Sequence, residues 1–132
     1  MEVIPYDRSV HDAMVTRWCS SRGVPATLLD MLPERGFIVP DVAAGFLYQT
    51  DSTMALIEGI VANPKADSRI RDDALDQVFF ALFDLARDLG FELVWGFSPR
   101  PEIETRARRI GFRIDEKRQY TFGSVRVAKP GA

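Results

Sequence analysis

The chain has 132 residues, 46% of them hydrophobic, and a formal net charge of −2. That length predicts one domain, 1–132, large enough to hold together without a metal or disulfide staple. With one cysteine and one histidine, the composition argues against clustered soft-ligand metal sites, an intrachain disulfide and a Cys-His nucleophile pair.

The elements follow in chain order. Glu2 to Tyr6 reads as a short edge strand, because Pro5 has no amide proton for a central ladder. Ser9 is placed to cap a helix with Val10, Met14, Val15 and Trp18 on one face, ended by Gly23 and Pro25. Ala26 to Met31 reads as a second short helix, closed before Pro33. The period then changes. Gly36–Val39, Val42–Gln49 and Met54–Ala62 read as an antiparallel meander, with turn residues at 49–52 and a stop at Asn63-Pro64.

Leu75, Val78, Phe79, Leu82, Leu85, Ala86 and Leu89 recur at helical spacing, with Gly90 at the C-terminal stop. Phe80 and Phe83 widen this face enough for a second sheet face or a homodimer contact. Phe91 to Phe97 is apolar enough for a central strand with Trp95 in the core. Pro101 opens a last helix to Ile110, closed by Gly111. Phe112–Ile114 and Tyr120–Phe122 suggest a closing hairpin. A strand–helix–strand unit inside a meander predicts an α/β domain with a mixed sheet.

Apolar runs stay below about 18 residues, and residues 1–10 lack the order of a secretion signal. The expectation is a cytoplasmic protein without a membrane partner. Charge is uneven: residues 1–98 hold 8 Lys/Arg against 15 Asp/Glu, and residues 99–132 hold 9 against 4. The basic third either favours an anionic ligand or forms a solvated helix face and hairpin edge. A nucleic-acid-binding domain is usually more basic overall, which argues against that partner without excluding it.

The element order resembles the GNAT acyltransferase fold over about residues 2–123. Three local features carry the resemblance. Ile57-Glu-Gly-Ile-Val-Ala-Asn-Pro64 is similar to the end of the family's fourth strand. Leu75 lies eleven residues past Pro64, a spacing common in the family. Ile110-Gly-Phe112 is similar to the Gly-Phe that ends its fourth helix. The resemblance implies a mixed, mostly antiparallel sheet of about six to seven strands flanked by about four helices. It implies acetyl-CoA as cofactor and acyl transfer to an amine acceptor.

The family cradles the donor's diphosphate in a loop patterned Q/R-x-x-G-x-G/A before a helix N-terminus. Here that pattern falls on Asp67-Ser-Arg-Ile-Arg-Asp72, and no glycine occurs between Gly59 and Gly90. The resemblance makes Ser68, Arg69, Ile70, Arg71, Asp72, Asp73 and Ala74 the cofactor-binding candidates. Arg69 and Arg71 could hold phosphate through side chains, whereas Ile70 hinders close approach and the three aspartates repel phosphate. Read without a ligand, the same segment is a helix start capped by Asp67 or Ser68.

Glu58 lies six residues before Pro64, where the family often places a glutamate. It is the candidate general base, or else an outward-facing strand residue. Gly59 suggests a bulge, and the amides of Ile60, Val61 and Ala62 become candidates for the carbonyl and pantetheine. The family's thiolate-protonating tyrosine falls on Ala107 and its helix-opening asparagine on Arg100. Tyr120 is the candidate substitute and Tyr48 a second. Both also read as half-buried strand aromatics. His11 reads as a surface or partly buried helix residue, and Cys19 as a packing residue.

The expected function is acyl transfer from acyl-CoA to an unidentified amine. The alternative is a catalytically degenerate GNAT-fold binding or interaction protein, including a phage- or mobile-element-type relative.

Overall fold

The computed structural model describes residues 1–24, 26–96 and 101–114. They belong to two compact units, Met1–Phe97 and Ser98–Ala132.

The first unit contains β1 (Ile4–Pro5), α1 (Arg8–Ser20), a 3₁₀ turn (Ala26–Met31), β2 (Gly36–Val39), β3 (Ala43–Tyr48), β4 (Met54–Ala62), α2 (Ser68–Asp88) and β5 (Leu93–Trp95). The sheet order is β1-β2-β3-β4-β5. The first three pairings are antiparallel, and β5 runs parallel to β4. α2 supplies the crossover that a parallel pair requires.

Asp7, not Ser9, caps α1: its carboxylate accepts the Ser9 amide at 3.0 Å and the Ser9 hydroxyl at 2.7 Å. A carboxylate also complements the helix dipole, which gives Asp7 the advantage over a serine inside the first turn. The Ser9 hydroxyl, then its amide, holds the Asp7 carboxyl below its ordinary value. The inward face of α1 is His11, Val15, Trp18 and Cys19. Val15 and Trp18 face inward as expected, whereas Val10 is 64% exposed and Met14 only half-buried. His11 is buried, and its Nδ1 accepts the Asp7 amide at 2.9 Å.

On the α1 side of the sheet, Ile38, Ala44 and Phe46 pack with Tyr6, Val15, Trp18, Cys19 and Leu29. On the other side α2 buries Ala74, Val78, Phe79, Leu82 and Ala86, packing on β2, β3 and β4. Fully burying a side chain such as Phe46 or Leu82 contributes about 1.5–3 kcal/mol. α2 stops at Gly90, whose φ is +90°. The Phe91 amide then donates to Ala86 O at 3.0 Å and the Gly90 amide to Arg87 O at 3.0 Å.

The described residues hold five strands and three α-helices, fewer than the expected six to seven and four. Ala26–Met31 forms a 3₁₀ turn because Pro33 follows too soon for a full helix. Of the expected strand 91–97, β5 takes Leu93–Trp95, and Phe97 lies outside the described residues. Phe91 is taken by the helix stop, and the Glu92 amide donates to Thr53 O at 2.8 Å. Trp95 is 41% exposed and Leu93 53%, so β5 is not the doubly covered strand its composition suggested. Residues 112–114 form no strand, and Phe112 instead donates to Ala107 O at 2.8 Å. Residues 120–122 lie outside the described residues.

In the second unit, α3 (Pro101–Ile110) carries Arg108 and Arg109 in its last turn, where cations suit the dipole. Arg108 pairs with Glu104 at 3.1 Å. Among the described residues no helix is long and apolar enough to cross a membrane, and no cluster of metal-ligating side chains occurs.

Candidate active site

The centre of the site is a defect in the β3–β4 ladder. Glu58 stands opposite Phe46, and Val61 stands opposite Ala44. Two residues of β4, Gly59 and Ile60, therefore face Gly45 alone, which makes a β-bulge. Gly59 has φ +68°, a backbone that favours glycine. A methyl group there would also stand 3.0 Å from both Leu32 Cδ2 and Phe46 Cδ2. Gly45 is small for a matching reason: a Cβ would lie 2.5 Å from Ile60 Cδ1 and 2.9 Å from Val78 Cγ1.

The bulge lies just beyond the end of the parallel pairing, whose last pair is Leu56 with Trp95. From Ile57 to Ala62, β4 pairs only with β3 among the described residues. The Asn63 amide donates to Val42 O across β3 at 2.8 Å. Strand alternation then turns the Val61 amide toward β3 and the Ala62 amide to the opposite side. Of the three amide candidates, Ala62 is therefore aimed past the end of β5, and Val61 is committed to the ladder. The Ile60 side chain lies on the α2 side, beside Gly45.

Glu58 is half-buried and shares its sheet face with Phe46 and Tyr48. Burial, and after it the negative charge of Glu58, raises the Tyr48 hydroxyl above its ordinary pKa. The 3₁₀ turn and Leu32 form the wall over this face. Arg8 holds that wall: its guanidinium donates to Leu29 O and, at 3.3 Å, to Leu32 O. Arg8 also meets Asp12 at 3.4 Å, and Asp12 accepts the Tyr6 hydroxyl at 2.7 Å. Tyr6 packs edge-on against Phe46 at 4.7 Å between centroids. Arg8, Tyr6, Asp12 and Leu32 were not singled out from the sequence. The only local signal was the Arg8/Asp12 spacing, which reads as an ordinary surface pair.

The N-terminus of α2 is built differently from a glycine cradle. Asp67 is the N-cap, and its Oδ1 accepts the Arg69 amide at 3.0 Å and the Ile70 amide at 3.4 Å. Ser68, Arg69, Ile70, Asp72 and Asp73 are exposed, whereas Ala74 faces the core. Arg71 is half-buried and donates to Pro64 O at 3.5 Å. Tyr120 lies outside the described residues.

No protein-family model matches the chain, and no curated protein sequence matches it. Solved structures do. An aminoglycoside acetyltransferase from an uncultured soil metagenomic sample, in complex with sisomicin, superposes with a TM-score of 0.67 at 12% identity, covering 95% of this chain and 96% of that one. Glucosamine-6-phosphate N-acetyltransferase from Arabidopsis thaliana gives 0.65 at 12% identity, covering 93% and 98%. Rv2747 from Mycobacterium tuberculosis, in complex with CoA, gives 0.65 at 16% identity, covering 82% and 70%. The chain has the GNAT fold.

The two segments expected to meet a CoA donor, the end of β4 and the start of α2, differ in how well they would suit it. The β4 end keeps a bulge, a directed amide and a carboxylate. The α2 end already holds a carboxylate of its own on the amides of Arg69 and Ile70. Those amides do not fit a diphosphate while Asp67 occupies them.

Proposed function

We propose that this GNAT-fold chain is an N-acyltransferase that moves an acetyl or related acyl group from a thioester substrate, such as acetyl-CoA, to an amine. The observation that carries this reading is the Gly59 bulge, placed where β4 outruns β5 with Glu58 beside it. The structural similarity to an aminoglycoside acetyltransferase and to glucosamine-6-phosphate N-acetyltransferase supports an amine acceptor.

Glu58 takes the proton from the attacking amine, a role commonly worth about 10²–10⁴ in rate. The Ala62 amide donates to the carbonyl oxygen as negative charge develops there, typically worth about 10²–10³. The C–N bond forms as the C–S bond breaks, and the departing thiolate is protonated. Tyr48, which shares its sheet face with Glu58, is one candidate for that step. Tyr120 is the second candidate for that step.

One observation favours a different reading. Asp67 already satisfies the α2 amides, as in a helix that needs no ligand. On that reading the chain is a GNAT-fold binding or interaction protein without acyl turnover. Thiol release from acetyl-CoA over a panel of amines separates the two. Turnover that falls at least about a hundredfold in Glu58→Gln supports the transferase. Absence of acetyl-CoA binding by calorimetry at millimolar donor removes it.

A further inference from the structure

The mismatch at α2 bears on which donor the chain takes, given the acyltransferase reading above. Asp67 accepts two of the amide protons that a diphosphate would need. Ile70 stands in place of a small residue and is 46% exposed on the same turn. Asp72 and Asp73 follow, both exposed. Of the two side-chain alternatives, Arg71 is directed back to Pro64 O at 3.5 Å, which leaves exposed Arg69 as the one cation on this turn that faces solvent. A diphosphate arriving here must displace two hydrogen bonds and approach a fixed carboxylate. The β4 end makes no such demand. A pantetheine arm is uncharged and asks only for strand amides such as that of Ala62.

We propose that Asp67 is a donor-specificity residue: it makes the chain hold its donor by the pantetheine thioester, with no net affinity drawn from a diphosphate. The substrate class is therefore acyl-pantetheine thioesters in general, of which acyl-CoA is one member.

Calorimetry with acetyl-CoA and S-acetylpantetheine, at equal ionic strength, tests this. The unmodified chain should bind the two within about threefold of each other, a difference under about 1 kcal/mol. Asp67→Gly uncovers the Arg69 and Ile70 amides and should shift the ratio toward acetyl-CoA by at least about fivefold. Asp67→Asn keeps the cap without the charge and should fall between. A tenfold or greater preference of the unmodified chain for acetyl-CoA overturns the proposal, with the acyltransferase reading left standing. So does a ratio unchanged in both variants. Binding of neither thioester overturns both readings together.

Discussion

Leu32 Cδ2 lies over Gly59, where a methyl group would stand only 3.0 Å from it. The two residues close a ring of contacts. Gly59 touches Phe46, Phe46 meets Tyr6, Tyr6 bonds Asp12, Asp12 pairs with Arg8, and Arg8 holds the Leu32 carbonyl. The ring includes Phe46, which stands opposite Glu58, so the strand defect and the wall above it are stabilised together.

Gly59→Ala should cost about 1–3 kcal/mol, from the left-handed backbone and the two 3.0 Å contacts. Urea unfolding measures it. A loss below about 0.5 kcal/mol would show that β4 relaxes out of the bulge without strain.

Arg8→Ala should cost about 1–3 kcal/mol by leaving the Leu29 and Leu32 carbonyls without their charged donor. Asp12→Asn keeps an oxygen for Tyr6 and loses only a partly exposed ion pair, so it should cost less, about 0–1 kcal/mol. Hydrogen exchange provides the local check: the Leu32 amide, bonded to Leu29 O at 3.2 Å, should lose protection in Arg8→Ala. Equal losses in the two variants would place the anchor in the ion pair instead.

How much of this was legible beforehand differs by element. The meander and α2 follow from period-two and helical apolar spacing, which are properties of neighbouring residues. The Gly59 bulge was legible for the same reason, since a glycine inside an apolar strand is a local mark. The cap of α1 was misplaced because Asp7 and Ser9 are both good acceptors two residues apart. The sequence places Trp95 in the core because a dense apolar run looks the same whether one strand face is covered or two. The ring through Arg8 was invisible, because its acceptors lie 21 and 24 residues away. For Asp67 the sequence offers the cap as one of two alternatives.

One pH dependence should appear on the alkaline side. Burial, then the bond to Asp12, raises the Tyr6 hydroxyl, and burial followed by Glu58 raises Tyr48. Both folded-state values lie above the ordinary value of about 10, so the neutral phenols favour the fold. Their contribution is complete below pH about 10 and is lost as pH rises through the folded-state values. Tyr6→Phe should lower stability at pH 8 by about 1 kcal/mol and flatten the decline above pH 10. Urea unfolding from pH 8 to 11.5 gives both numbers, and an undiminished slope in the variant would remove Tyr6 from the account.

Asp67→Ala should destabilise the start of α2 by about 1 kcal/mol, the usual cost of losing an N-cap. Amide exchange at Arg69 and Ile70 should quicken, with little change at Val78 or Leu82 deeper in the helix. Faster exchange along all of α2 would mean that Asp67 supports the helix as a whole.

Pro5 gives the sheet one more property. β1 is two residues long, and its pairing leaves Pro5 opposite Phe37 at the end of the strand order. A second chain approaching that edge meets a stub with one amide proton missing, too short to template a ladder. Strand-to-strand self-association is therefore discouraged along β1, and replacing Pro5 by valine would restore the missing donor at the point where aggregation could begin.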